Sequence, residues 1–84
     1  MAYFFIEITD TFGGEANYSW VTRHKVRAKS ERGALICINR DSGLGFRSVG
    51  GGRYDSRSGA TCCFIDHWDD DTHSQYLHVQ TELA

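Results

Sequence analysis

Tyr18-Ser19-Trp20-Val21-Thr22-Arg23-His24-Lys25-Val26-Arg27-Ala28-Lys29 is the stretch on which the fold reading turns. Side chains alternate along it. Tyr18, Trp20, Val26 and Ala28 fall on one face, with Thr22 and His24 between them, and Arg23, Lys25, Arg27 and Lys29 fall on the other. Period-two alternation of apolar and charged residues predicts a strand with one face on a core and one toward water.

Upstream, Tyr3 to Thr9 is rich in aromatic and β-branched residues and reads as a second strand. Phe4, Ile6 and Ile8 share one of its faces; Tyr3, Phe5 and Glu7 share the other. Asp10 to Asn17, with Gly13-Gly14 at its centre, reads as a longish turn joining the two strands into an antiparallel hairpin. Downstream, Ser30 is a good helix N-cap, and Ala34, Leu35 and Ile38 give helical spacing across Glu31 to Arg40. Asp41-Ser42-Gly43 ends the helix, with Gly43 suited to the residue after its last turn.

Leu44 to Val49 reads as a third strand, the triple glycine at 50–52 as a turn, and Arg53-Tyr54-Asp55 as an extension of a hairpin arm. Ala60 to Trp68 reads as the fourth strand, with Cys62, Phe64 and Trp68 on one face and Cys63 and Ile65 on the other. For 72–84, Tyr76, Val79 and Leu83 fit a helical face and Leu77 and Val79 fit a strand; the reading leans to a helix or a loosely docked end. The expected fold is α+β: a four-stranded, mainly antiparallel sheet with one helix on one face, in the order β-β-α-β-β, as a single domain over 1–84.

Composition agrees with one globular domain: 84 residues, 40% hydrophobic and 24% charged. The three cysteines include an adjacent pair, Cys62-Cys63, which predicts reduced thiols and a cytoplasmic setting. No apolar run approaches a membrane span, and Met1 to Glu7 has neither the basic start nor the apolar length of a leader.

Charge is segregated along the chain. All nine basic residues lie between Arg23 and Arg57, opposed there only by Glu31, Asp41 and Asp55; the other acids lie outside that stretch. Cations at every second position of one strand suit a nucleic-acid backbone. Equally, acids on adjacent strands, Glu7 and Asp66, suit cross-strand pairing that neutralises the row. Asp69-Asp70-Asp71 has two readings as well: an acidic surface for a basic partner, or a solvated strand end.

His67, His73 and His78 lie near these acids, but their spacing matches no closed metal motif, and neither a metal nor a cofactor is expected. The cysteines sit at apolar positions that suit small hydrophobes better than nucleophiles. Gly43-Leu44-Gly45 and the triple glycine lack the strand-to-helix context of a phosphate loop. A non-catalytic role is the expectation.

Two stretches, Thr9 to Val21 (TDTFGGEANYSWV) and Gly52 to Ile65 (GRYDSRSGATCCFI), resemble short proteins encoded by bacteriophages and related mobile elements. That resemblance implies an anti-defence inhibitor, anti-CRISPR proteins among them, which occupies a surface on a host protein or ribonucleoprotein complex in the cytoplasm of an infected bacterium. It transfers no catalytic residue. The partner-binding candidates are Glu15, Asn17 and Tyr18 near the first loop, Arg53 and Tyr54 near the second, the basic residues Arg23, Lys25 and Arg27, and the acids Asp69, Asp70 and Asp71. Trp20 and Asp55 flank the two loops, and Trp20 also reads as a core residue. The alternative is a small nucleic-acid-binding module that uses the basic face of the second strand. A homodimer through an exposed sheet edge stays open.

Overall fold

The computed structural model describes residues 2–76 and 80–83. The elements are β1 (Ala2–Phe12), β2 (Glu15–Ala28), α1 (Glu31–Ser42), β3 (Arg47–Gly50), β4 (Arg53–Asp55), β5 (Thr61–His67), α2 (Asp70–His73) and β6 (Gln80–Leu83). They form one sheet in the order β3-β4-β5-β1-β2-β6. The α+β class and the mainly antiparallel sheet stand, but the count of four strands does not. Five strands pair antiparallel, because Arg53–Asp55 is a strand in its own right, and β6 adds a sixth, parallel to β2 at His24–Arg27.

The helical lean for the tail is corrected at its end. Gln80–Leu83 pairs with the outer edge of β2, whose backbone N–H and C=O groups would otherwise face water. Tyr76 stacks on the Phe5 ring, with centroids 5.5 Å apart. Leu77 and Val79, which enter the two tail readings, and His78 of the histidine group lie outside the described residues.

The core lies between α1 and one sheet face. Phe4, Ile6 and Ile8 of β1, Val26 and Ala28 of β2, and Cys63 and Ile65 of β5 meet Ala34, Cys37 and Ile38 of α1, with Phe46 at the edge. Burial of each large aliphatic or aromatic side chain here contributes about 2 kcal/mol. Ser30 caps α1, its hydroxyl accepting from the Gly33 amide at 3.1 Å. Gly43 closes it in the left-handed region at φ 71°, returning its N–H to the Asn39 carbonyl at 2.8 Å. Tyr54 donates its hydroxyl to Glu31 Oε1 at 2.7 Å and ties β4 to the first turn of the helix.

The opposite face of the sheet carries a second, smaller apolar layer. Phe5 is buried there under His73, whose ring stacks on it at 4.0 Å, and it also contacts Trp68 and Tyr76. The residues after β5 thus fold back over one end of this face. Asp69 starts the turn as an N-cap, accepting from the Asp71 amide at 3.0 Å, and the His73 Nδ1 accepts from the Asp69 amide. Trp68 Nε1 donates to Asp70 at 2.6 Å.

Candidate functional site

The β1–β2 hairpin does not end in a long loop. Phe12 pairs with Glu15, so the turn is Gly13-Gly14 alone, with φ of 62° and 83°. Two successive residues at positive φ make the tight hairpin turn that glycine alone accepts without steric cost. The irregularity sits deeper in the arm. Thr9 pairs with Val21 and Thr11 with Ala16, so Asp10 alone on β1 faces Asn17, Tyr18, Ser19 and Trp20 on β2. Four residues against one form an extended bulge, and a bulge bends the ribbon and re-aims its side chains.

Two side chains of β1 hold the bulge. The Asp10 carboxylate accepts from Asn17 Nδ2 at 2.9 Å, from the Ser19 amide at 3.1 Å and from the Ser19 hydroxyl. These donors lower the Asp10 pKa to about 2, because hydrogen bonds to a carboxylate favour its charged form. Thr9 is fully buried; its hydroxyl donates to the Trp20 carbonyl at 2.9 Å and accepts from the Tyr18 amide at 3.0 Å. Tyr18 sits at φ 56°, the only described non-glycine residue at positive φ. The left-handed region costs a bulky L-residue about 1 kcal/mol, which this network offsets.

Arg53 fixes the direction of the bend. It is in register with Phe64, which is in register with Glu7. Gly14 lies seven residues beyond Glu7, a distance of about 23 Å along a straight strand. Yet Arg53 Nη2 donates to the Gly14 carbonyl at 2.6 Å, so the arm curls back over this side of the sheet. Asp55 holds the other side of the guanidinium, at 2.7 Å from Nε. Cys62, which shares this face, is fully buried.

Three large aromatic side chains remain exposed on the arm: Phe12 at 79%, Tyr18 at 53% and Trp20 at 45%. Large aromatic side chains exposed together on one arm mark a candidate contact surface, and here hydrogen-bonded backbone presents them to water. From Ala2 to Thr22 the arm-bearing segment contains Glu7, Asp10 and Glu15 and no lysine or arginine. Glu7 is taken up by Arg23 and Asp10 by the bulge, and at the tip the exposed Glu15, in register with Phe12, shares its surroundings with the Arg53 guanidinium held on the Gly14 carbonyl.

The remaining predicted residues divide into groups. Asn17, Tyr18 and Trp20 lie in the bulge, and Arg53 with Asp55 is brought against the same arm, so the two loops do meet. Tyr54 is separated from them, pointing to the helix side. Arg23 is held by Glu7 at 3.0 Å and lies 4.3 Å over the Tyr76 ring. The Lys25 ammonium sits between the rings of Tyr3, at 4.6 Å, and Trp68, at 4.5 Å. Arg27 is exposed. Of the two acids expected to neutralise the basic row, Glu7 does pair across the strands; Asp66 is exposed, in register with Phe5. Asp69, Asp70 and Asp71 start α2 and serve in part as cap and tryptophan acceptor.

Sequence reasoning missed Phe12, and with it the two residues that organise the arm, Thr9 and Asp10. The Asp10, Asn17 and Ser19 triplet was a usable signal, since short polar side chains compete for backbone groups wherever a strand is interrupted.

Cys62 and Cys63 are fully buried, and burial raises both thiol pKa values, that of Cys63 to about 12. A thiol in that condition is a poor nucleophile at neutral pH. Among the described residues no three His, Cys, Asp or Glu side chains cluster closely enough to hold a metal ion, and no helix is long and apolar enough to cross a membrane. No family model matches the chain, and neither a curated protein nor a solved structure matches it.

Proposed function

We infer that this chain acts by binding, with the aromatic arm as its anchor and a protein surface as its target. One observation carries the reading: Phe12 is exposed at the tip of the arm, and Tyr18 and Trp20 are exposed on a bulge whose backbone is held by Asp10 and Thr9. Aromatic anchors dominate protein interfaces, and an anchor held rigid beforehand loses little conformational freedom on docking. The sequence resemblance adds a partner class, a defence nuclease complex such as a CRISPR effector, which the chain would inhibit by occupying it.

Size-exclusion co-migration tests this. The purified chain is mixed with CRISPR effector complexes and, separately, with DNA and RNA, at low and moderate salt. A complex with an effector that survives moderate salt supports the reading. Co-migration with none of the effector complexes counts against the inhibitor role.

The second reading, a nucleic-acid module on the basic face of β2, has less support. Arg23 and Lys25 are engaged by Glu7, Tyr76, Tyr3 and Trp68, and lifting them onto phosphates would sacrifice those contacts.

A further inference from the structure

Other cations are exposed elsewhere. Helix α1 buries Ala34, Cys37 and Ile38, so its opposite side carries Arg32, Ile36 and Arg40, spaced four apart and all exposed. Lys29 precedes the helix and is exposed. Arg57 follows it in space: its amide bonds the Leu44 carbonyl, and its guanidinium packs over Gly45, where an added Cβ would stand 3.0 Å from Nη2. None of the four cations has an acidic partner within ion-pair distance among the described residues. Glu31 is turned to Tyr54.

We propose that this outer stripe of α1, Lys29–Arg32–Arg40 with Arg57 at its far end, is a binding surface for the phosphate backbone of a nucleic acid. Helix stability does not explain Arg32. It stands in the first turn, where the helix dipole disfavours a cation, whereas Arg40 in the last turn is favoured. The array is linear: Arg32 and Arg40 are about 12 Å apart along the axis, so they meet well-separated phosphates of one backbone. Three of the four are arginines, whose planar guanidinium matches phosphate oxygens. An acidic protein fits less well. A protein interface needs an apolar centre of several residues, and the exposed helix face offers Ile36 alone. This surface lies on the helix side of the sheet, and the proposal does not depend on the aromatic arm.

The test is fluorescence anisotropy with labelled single-stranded RNA, single-stranded DNA and duplex DNA of ~20 nucleotides, between ~50 and ~200 mM salt. Four phosphate contacts predict a log–log salt slope of roughly −3 to −4. Arg32→Glu with Arg40→Glu is expected to weaken binding more than about tenfold and to bring the slope to about half. Arg32→Gln with Arg40→Gln gives a smaller loss in the same direction, and circular dichroism confirms the fold of both. Trp20→Ala leaves this binding unchanged, which separates it from the arm. Three results overturn the proposal: no binding to any probe at ~50 mM salt, binding that the double variants do not alter, or loss of a protein complex by the double variants of a chain that binds no nucleic acid.

Discussion

Asp10 and Ser19 meet across the bulged arm, the Asp10 carboxylate accepting both the Ser19 amide, at 3.1 Å, and the Ser19 hydroxyl. Through this relationship a local irregularity in a strand pair becomes a hydrogen-bonded platform for the exposed Tyr18 and Trp20. Asp10→Ala removes the acceptor of Asn17 and Ser19 together. Amide exchange is expected to accelerate at Tyr18 and Ser19 while the amides of β5 keep their protection. A uniform loss of protection over the whole sheet would show that the arm is not an independent unit.

The same carboxylate sets a pH dependence. Its folded pKa of about 2 lies below the ordinary value of 3.8. A depressed carboxylate contributes stability that is complete above the unfolded value and is lost as pH falls through the folded one. The arm is therefore expected to stay ordered at pH 4 and to titrate with a midpoint near 2, read from the Ser19 amide shift. A midpoint at the ordinary value would mean that the network is not formed.

Tyr18 pays for its position in backbone strain, with φ at 56°. Tyr18→Gly relieves that strain by about 1 kcal/mol and deletes an exposed ring. Thermal stability is expected to hold or rise by a few degrees while partner affinity falls. Stability lost in step with affinity would assign Tyr18 to packing instead.

On the other side of the sheet, Tyr54 donates to Glu31, which raises its pKa from 10.0 to about 12. The raised value favours the protonated phenol, so this contribution is complete below 10 and lost as pH climbs toward 12. Tyr54→Phe should cost about 1 kcal/mol at neutral pH and flatten that alkaline loss. A stability profile unchanged by the substitution would remove the Tyr54–Glu31 tie from the account.

Buried Cys62 and Cys63 are expected to resist iodoacetamide in the native protein and to react fully once it is unfolded, as mass spectrometry would read. Rapid native labelling of either would contradict their placement.

Much of the fold was legible because its signals are local. The alternation of Arg23 to Ala28 defined β2, Ser30 and Gly43 bounded α1, and Phe4, Ile6 and Ile8 fell on the core face as expected. The errors have physical causes. Extending the alternation back from Val26 puts Trp20 and Tyr18 on the buried face, but four bulge residues oppose one and the register breaks between Thr9 and Thr11. No period-two pattern survives that. The parallel pairing of β6 with β2 joins residues more than fifty positions apart and leaves no local trace. The fate of the basic row depended on neighbours brought in from afar, Tyr76 over Arg23 and Trp68 beside Lys25.

Phe12, Tyr18 and Trp20 are proposed as the anchors that hold a protein partner. The most direct test of that role titrates purified CRISPR effector complexes with the native chain and with the Tyr18→Ala, Trp20→Ala double variant at moderate salt, by calorimetry. A tight complex is expected for the native chain and at least about a hundredfold weaker binding for the variant, a difference of about 3 kcal/mol. Equal affinity of the two, or no complex with the native chain, would contradict the proposal.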